Sequence, residues 1–110
     1  MANVTFEEFK KIEIRIGKIL SAEKVENADK LLKLTVDFGS EIGKRQIVSG
    51  IAEFYQPSEL EGKKLPFIVN LEPRKFKGVE SQGMLLAVQS DDKPVLLIPN
   101  NDLPEGSIVV

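Results

Sequence analysis

The stretch Lys11–Leu20, which reads KIEIRIGKIL, decides the fold of this chain. Up to Gly17 its isoleucines alternate with polar residues, which is the period of a strand with one buried face. After Gly17 the alternation slips, since Ile19 and Leu20 are neighbouring apolar residues. A glycine combined with such a slip is typical of a β-bulge or a sharp bend. We therefore predict a bent first strand, because small barrels need bends of this kind to close.

Short elements lie on both sides of this strand. Thr5 and Glu8 have the spacing of a capping box, which predicts one helical turn over Thr5–Lys10. A second short helix is predicted within Ala52–Lys64, where a proline suits a first helical position. Residues 39–43 are expected to connect two strands as a hairpin loop. Apolar patterning predicts four further strands: Leu32–Phe38, Arg45–Ile51, Leu65–Leu71 and Met84–Val88.

This element order predicts an all-β fold, a five-stranded Greek-key barrel of the OB type with one short helix between strands three and four. Periodicity by itself does not separate this topology from an SH3-like barrel. The last strand, Met84–Val88, has almost no polar positions, so we expect cover on both of its faces. The 110 residues are expected to form one domain, with a helical turn in 1–10, the barrel in 11–89 and a C-terminal extension in 90–110.

The C-terminal extension is rich in apolar residues that a five-stranded barrel does not need. They lie mainly in Val95–Ile98 and Ile108–Val110, and this apolar surface has to be buried somewhere. One alternative is that the extension completes the core of the monomer. The other is that it forms a homodimer interface, shared with Phe6 and Phe9. The residues alone leave the two alternatives equally open.

Composition excludes several classes of function. The chain has no Cys and no His, which excludes disulfides, thiolate chemistry, zinc fingers and histidine-based catalysis. The carboxylates are scattered, and neither Ser49 nor Ser81 has a histidine to activate it, so we expect no enzyme, no metal site and no cofactor. The chain has no apolar run of the roughly 20 residues that a membrane span needs, and no signal-peptide pattern. We expect a soluble, cytoplasmic protein without a membrane partner, and the initiating methionine favours a separate chain.

Charge is unevenly distributed, although the net charge is only −2. Lys63–Glu80 carries five cations and two anions, whereas Asp91–Val110 carries one cation and four anions. A local basic surface can attract a polyanion while the whole molecule stays acidic. The alternative is an ordinary solvated loop. The cations that suit phosphate contacts cluster within Asn70–Leu86, between the last two predicted strands, as Arg74, Lys75 and Lys77.

Aromatic residues are scarce, with six Phe and one Tyr. Most occupy core-like positions, and Tyr55 and Phe76 are the candidates for exposure. Proteins of the OB type that bind single strands use aromatic stacking platforms, so this scarcity favours a structured RNA recognised by its backbone and shape. Ser81 is a candidate donor to a phosphate or a ribose hydroxyl, and Met84 a candidate contact to a base or sugar. The simpler interpretation of these two residues is a turn followed by a core methionine.

Four motifs occur in order along the chain: ADKLLKL (Ala28–Leu34), RQIVSGI (Arg45–Ile51), NLEPRK (Asn70–Lys75) and SQGM (Ser81–Met84). Together they resemble the motifs of the tRNA-binding domain family. This domain occurs at the C-terminus of many methionyl-tRNA synthetases, in separate structure-specific tRNA-binding proteins and in relatives of the endothelial monocyte-activating polypeptide. The resemblance implies an OB fold whose C-terminal segments build a homodimer. It also implies binding of tRNA by overall shape, near the outer corner of the molecule.

The resemblance further implies a set of tRNA contacts, to which the charge argument alone adds Lys77. Two features depart from the family. Val25-Glu26-Asn27 stands where many relatives have His-Pro-Asn, and Glu72 stands where a lysine is common, which predicts weaker or more salt-sensitive binding. The positions that match the family are Lys30, Lys33, Arg45, Asn70, Arg74, Lys75, Ser81 and Met84.

The leading hypothesis is a non-catalytic, structure-specific tRNA-binding module in protein biosynthesis. It would act as a free homodimer or as the dimerising appendage of a methionyl-tRNA synthetase, whose catalytic region would then be a further partner. The alternative is an export-related chaperone of the same fold, which would bind peptides through an apolar dimer groove. The basic loop together with the four motifs favours RNA.

Overall fold

The computed structural model describes the whole chain, Met1–Val110. Three short helices are present: α1 Phe6–Lys10, α2 Gly39–Ile42 and α3 Pro57–Leu60. The strands are β1 Ile14–Val25, β2 Ala28–Asp37, β3 Lys44–Ser49, β4 Lys64–Ile68, β5 Arg74–Phe76, β6 Val79–Ser81, β7 Met84–Leu85, β8 Ala87–Val88, β9 Val95–Leu96 and β10 Ile108–Val109.

One antiparallel sheet with the strand order β3-β2-β1-β4-β7 organises the fold. The long strand β1 pairs with β4 through Ile14–Lys18 and with β2 through Lys18–Val25, so it belongs to both halves of a curled sheet. Two small hairpins, β5–β6 and β8–β9, lie outside this sheet. The predicted all-β class is confirmed, and so is the short helix between the third and fourth strands. No ladder joins the edge strands β3 and β7.

The irregularity in β1 lies three residues later than Gly17. The register between β1 and β2 shifts between Ile19 and Ser21, whereas Gly17 pairs regularly with Leu65 of β4. Gly17 serves a different purpose, since a Cβ there would lie 2.5 Å from side-chain atoms of both Val36 and Phe38. The glycine therefore lets the core approach the backbone, and the bulge itself is at Leu20.

The core lies on the inner face of the curled sheet. The predicted alternation in β2 is confirmed, since Leu32, Leu34 and Val36 are fully buried. Phe38 and Phe67 meet edge to face, with ring centroids 5.4 Å apart, which adds to the burial of their area. The side chains that are fully buried are Phe38, Phe67, Ile19, Leu32, Leu34, Ile47, Leu60, Leu65 and Val36.

Some predicted elements differ in extent or kind. The expected strand Met84–Val88 is split, because β7 pairs with β4 while β8 turns away to pair with β9. Met84 and Val88 are exposed, so the expectation of cover on both faces was wrong for the single chain. The predicted hairpin connection at residues 39–43 is confirmed, since Asp37 of β2 pairs with Lys44 of β3, and the connection contains the short helix α2. The predicted capping box is present, with the Thr5 hydroxyl accepting from the Glu8 amide at 3.1 Å.

The C-terminal segment, Val95–Val110, is joined to the main sheet by its backbone. β10 pairs with β1, with Ile14 opposite Val109. Leu96 packs on the core, but Ile98 and Ile108 remain more than 60% exposed. The segment thus extends the monomer sheet and still presents apolar side chains to solvent. None of the helices has the length and apolar character that a membrane crossing requires.

Candidate nucleic-acid interface

The predicted basic loop is itself a β-hairpin, formed by β5 and β6. Phe76 pairs with Val79 and Arg74 with Ser81, so these four side chains share one face, and Lys75 and Glu80 share the other. Lys77 and Gly78 form the turn, and both have positive φ, 52° and 81°. That is the pattern of a type I′ turn, whose twist matches the strands of a two-residue hairpin. The turn thus places Lys77 at the tip.

Hydrogen bonds between neutral groups hold this hairpin against the edge of β3. The Ser81 hydroxyl accepts from the Val48 amide at 2.9 Å and donates to the Gly83 carbonyl at 2.9 Å. The Gln46 side chain donates to the Glu80 carbonyl at 2.7 Å, and the Gln82 amide donates to the Gln46 carbonyl at 2.8 Å. These bonds fix where the cations of the hairpin lie.

Three of the predicted contact residues form hydrogen bonds within the protein that hold its loops in place. Ser81 is only 3% exposed and its hydroxyl is occupied in both directions, so we remove it from the contact set. The half-buried guanidinium of Arg45 donates to the carbonyls of Val69 and Gln82. The Asn70 side chain accepts from the Glu13 amide at 2.8 Å and donates to the Lys11 carbonyl at 2.6 Å. These long-range partners could not be read from local sequence.

Three other predicted contacts meet in a cleft between the β1–β2 turn and the hairpin. The cleft has a volume of about 560 Å³, and Lys30, Lys75 and Lys77 all line it. We call it the basic cleft. Its walls contain one anion, Asp29, against these three cations. Arg74 adjoins it, with its guanidinium carbon 5.0 Å from the centroid of the Phe76 ring. The residues that line the basic cleft are Asn27, Ala28, Asp29, Lys30, Leu31, Lys75, Phe76 and Lys77.

The remaining predicted contacts, Lys33 and Met84, do not line the basic cleft. Lys33 is half-buried on β2, between Glu23 of β1 and Val48 of β3. Met84 is 43% exposed on β7. They are peripheral to the three clustered lysines.

Glu72 lies in a different groove from the clustered lysines. It lines that groove together with Arg45, Asn70 and Gln82. The anion that departs from the family pattern therefore shares a groove with the structural residue Arg45 and does not line the basic cleft.

The sequence analysis predicted only Lys30 as a contact from one wall of the basic cleft. Its neighbours Asn27, Asp29 and Leu31 also line the cleft and were not predicted as contacts. A signal was present in Asn27, because asparagine is one of the few non-glycine residues that tolerate a positive φ, here 62°. Of the two aromatic candidates for exposure, Tyr55 is buried, with its hydroxyl donating to the Pro94 carbonyl at 2.6 Å. Phe76 is half-buried in the basic cleft.

The chain is similar to known proteins over nearly its whole length. It is 53% identical over 106 residues to a methionine–tRNA ligase of Archaeoglobus fulgidus, covering 96% of this chain and 16% of that protein. The chain therefore spans about a sixth of the length of the curated relatives it matches.

Two solved structures resemble the fold closely. A MetRS-related protein from Pyrococcus horikoshii superposes with a TM-score of 0.92 at 45% identity, covering all of both chains. A chaperone CsaA from Bacillus anthracis superposes with a TM-score of 0.88 at 33% identity, covering 99% of this chain and all of that one. The same fold thus occurs both in a MetRS-related protein and in a chaperone.

A family model described as "Putative tRNA binding domain" matches residues 14–108. That range contains the main sheet, the hairpin and the basic cleft. The match, together with the relatives at about half identity, shows that this chain belongs to the tRNA-binding domain family.

Proposed function

We propose that this chain is a non-catalytic, structure-specific tRNA-binding module whose main contact surface is the basic cleft. The observation that carries the proposal is the convergence of Lys30, Lys75 and Lys77 on one cleft of a chain with net charge −2. Point cations on long side chains suit phosphates, and their local field attracts a polyanion that the whole molecule would not. Arg74, Lys33 and Met84 extend the contact surface from its borders, while Arg45, Asn70 and Ser81 hold its loops.

The proposal predicts a steep dependence of tRNA affinity on salt. Each phosphate that a lysine neutralises releases condensed counterions, with a slope of about −0.9 per contact on duplex nucleic acid. With three or four cations at the cleft, we expect a slope of about −3 on a plot of log affinity against log salt.

A charge-reversal pair with a matched control tests the site. K75E/K77E should lower tRNA affinity at least tenfold, since it places two anions where two phosphates bind. K44E/K93E carries the same net charge, but Lys44 and Lys93 are exposed outside the basic cleft. Gel shifts over a salt series compare the two variants. Equal affinities for K75E/K77E and K44E/K93E would show that the cleft is not the binding site.

We also propose that the chain forms a homodimer through the face that joins α1 to β10. A groove of about 380 Å³ there is lined by Phe6, Phe9, Ile108 and Val110, among others. Phe6 is 71% and Ile108 61% exposed, which is unusual for large apolar side chains that sit together on a soluble domain. A symmetric pair would bury both copies of this surface and double the number of basic clefts.

Sedimentation analysis tests the dimer. Wild type should sediment as a dimer, and I108E should sediment as a folded monomer, because a carboxylate cannot be buried without a partner. A monomeric wild type would contradict the proposal.

The relation to methionine–tRNA ligases suggests two settings for the module. The chain acts as a separate cytoplasmic dimer or as the C-terminal appendage that supplies tRNA affinity to a synthetase. In either setting it carries no catalytic step of its own in protein biosynthesis, and any catalytic region is a partner.

A peptide-binding chaperone is the second candidate, because one structural neighbour is a CsaA chaperone and the groove at α1 and β10 is apolar. An extended apolar peptide would occupy that groove instead of a second copy. Retention of an unfolded polypeptide by the purified protein, without any binding of tRNA, would favour the chaperone.

A further inference from the structure

We propose that the basic cleft takes one unstacked base of the bound RNA, which stacks on the face of the Phe76 ring that the Arg74 guanidinium does not cover. The lysines of the cleft then hold the phosphates on either side of that base. The inference deepens the tRNA-binding proposal and rests on it. It differs from recognition by backbone and shape alone, because it places a nucleobase against the protein.

The stacking platform is already assembled. Arg74 and Phe76 are two residues apart on β5 and therefore share a face, with the guanidinium carbon 5.0 Å from the ring centroid. Aromatic rings are surfaces on which unstacked RNA bases commonly lie, and the guanidinium over one face of the Phe76 ring leaves the other face for the base. The Phe76 ring is half-buried and lines the cleft, so a base that enters meets it.

The walls of the cleft combine charge with apolar surface. Ala28 and Leu31 line it together with Phe76, and the lysines and Asn27 supply the polar groups. Phosphates alone would need no apolar wall, whereas a nucleotide presents a flat apolar base and a charged backbone. The volume of about 560 Å³ falls within the range of about 300–1,000 Å³ for pockets that enclose small ligands.

The other exposed aromatic rings lie away from the basic cleft. Phe6 and Phe9 line the apolar groove at α1 and β10, which the proposed dimer would cover. The ring of Tyr55 is buried, and Lys93 lies over it at 5.1 Å from the centroid. Phe54 is 41% exposed, but it lines a groove that contains Asp91 and Asp92, which repel phosphates. A single platform limits the site to a single base, in agreement with the scarcity of aromatic residues in the sequence.

The test compares F76L, F76Y and F54L in the full chain, with tRNA as the ligand. F76L should weaken tRNA binding about 5- to 100-fold, the range of one base-stacking contact. Stacking releases no counterions, so the loss should be equal at every salt concentration and the salt slope should not change. F76Y, which keeps a ring, should bind nearly as wild type, and so should F54L, which removes an exposed ring elsewhere.

Chemical probing of the tRNA gives the second readout. Wild type should protect one unpaired base from modification, and F76L should leave that base reactive while other protections persist. Affinity of F76L within twofold of wild type would overturn the inference and leave the tRNA-binding proposal intact. A loss with a shallower salt slope, or one that F76Y does not restore, would also overturn it, because the ring would then only position the lysines. Failure of wild type to bind tRNA would instead refute the proposed function itself.

Discussion

The hairpin β5–β6 and the C-terminal segment are both additions to the main sheet, but different forces attach them. Hydrogen bonds between neutral groups attach the hairpin, chiefly from Ser81 and Gln46. Charged side chains help to attach the C-terminal segment. Arg15 donates to the Gly106 carbonyl at 3.0 Å. Its ion pairs with Glu13 at 2.7 Å and Glu41 at 3.3 Å, both outside the segment, hold the guanidinium in place.

Lys64 forms the second charged attachment of the C-terminal segment. Its ammonium contacts the Asp102 carboxylate at 2.8 Å and donates to the Leu103 carbonyl at 2.7 Å. The two regions also present opposite surfaces, since the hairpin shows cations to solvent and the C-terminal segment shows apolar side chains.

Because the two attachments differ in charge, the two regions should respond differently to salt and acid. Salt screens exposed charges but hardly affects hydrogen bonds between buried neutral groups. The hairpin should therefore keep its position at high salt while its lysines lose their attraction for phosphate. A salt-dependent loss of RNA binding then reports the contacts themselves, whereas salt and acid should loosen the attachment of the C-terminal segment.

The largest expected effect comes from adding a side chain at Gly83, which lies where the hairpin meets the main sheet. Gly83 has φ 152°, and a Cβ there would lie 2.7 Å from the Ile68 carbonyl oxygen and 2.9 Å from the Ile47 side chain. G83A should therefore destabilise the fold by about 2–5 kcal/mol. G78A has open space and should cost only about 1–2 kcal/mol of left-handed strain. Urea unfolding measures both, and equal losses would contradict the steric argument.

S81A should weaken the attachment of the hairpin. It leaves the buried Val48 amide without its acceptor, which costs about 1–3 kcal/mol. Hydrogen exchange at the Val48 amide should accelerate. The matched control is S90A in the exposed β8–β9 turn, where water replaces the lost bond. No acceleration at Val48 would show that the hydroxyl does not hold the hairpin.

R15M should loosen the C-terminal segment. Arg15 is 8% exposed, but its partner carboxylates remain solvated, so we expect a loss of about 1–2 kcal/mol rather than the cost of a stranded buried charge. Exchange should accelerate at the Gly106 amide, which donates to the Ile16 carbonyl at 2.7 Å. The Val48 amide of the hairpin region serves as the internal control. Parallel acceleration at Val48 would mean that the two attachments are not independent.

K77N should stabilise the hairpin but weaken its binding of tRNA, so that the two effects can be measured separately. Asparagine suits the first position of a type I′ turn, so the variant should be about 0.5–1 kcal/mol more stable. Removal of one phosphate contact should lower tRNA affinity and reduce the salt slope by about 1. K77R, which keeps the charge and the strain, is the control. An unchanged slope in K77N would place Lys77 outside the RNA contact.

The smallest expected effect concerns acid. The hydrogen bond and the charge of Lys64 hold the pKa of Asp102 below its ordinary value of 3.8. The stability that this interaction gives the folded state is therefore fully present above pH 3.8 and is lost as the pH falls through the lowered pKa. An NMR titration of the Asp102 carboxyl should show a higher midpoint in K64M than in wild type. The same midpoint in both proteins would contradict this ion pair.

Protonation of Asp102 should also weaken the attachment of the rest of the C-terminal segment. Hydrogen exchange there should accelerate over the same acid range, while exchange at Val48 stays constant. That contrast would confirm that charged groups add to the backbone attachment of the C-terminal segment, whereas neutral hydrogen bonds hold the hairpin.

Much of the fold could be predicted because it depends on local patterns. The apolar alternation of β2, the capping box at Thr5 and the helical turn at Pro57 all arise from neighbours in sequence. The irregularity of β1 was predicted at Gly17, but the bulge lies at Leu20. Gly17 is needed for another reason, because Val36 of β2 and the adjoining Phe38, both distant in sequence, pack against its backbone. The split of Met84–Val88 was not predicted, because it depends on two different partner strands. The first half, β7, pairs with β4, which precedes it in the chain, and the second half, β8, pairs with β9, which follows it.

The sequence by itself determined which chemistry is present: clustered cations without catalytic groups, few aromatic rings and an apolar C-terminal segment. Only the tertiary structure decided which of those side chains remain available. The Ser81 side chain accepts a hydrogen bond from the Val48 amide, 33 residues away, and the Asn70 side chain accepts one from the Glu13 amide, 57 residues away. Phe76, in contrast, is left beside the lysines of the basic cleft. Charge and apolarity belong to each residue, whereas availability depends on long-range partners that only the folded chain brings together.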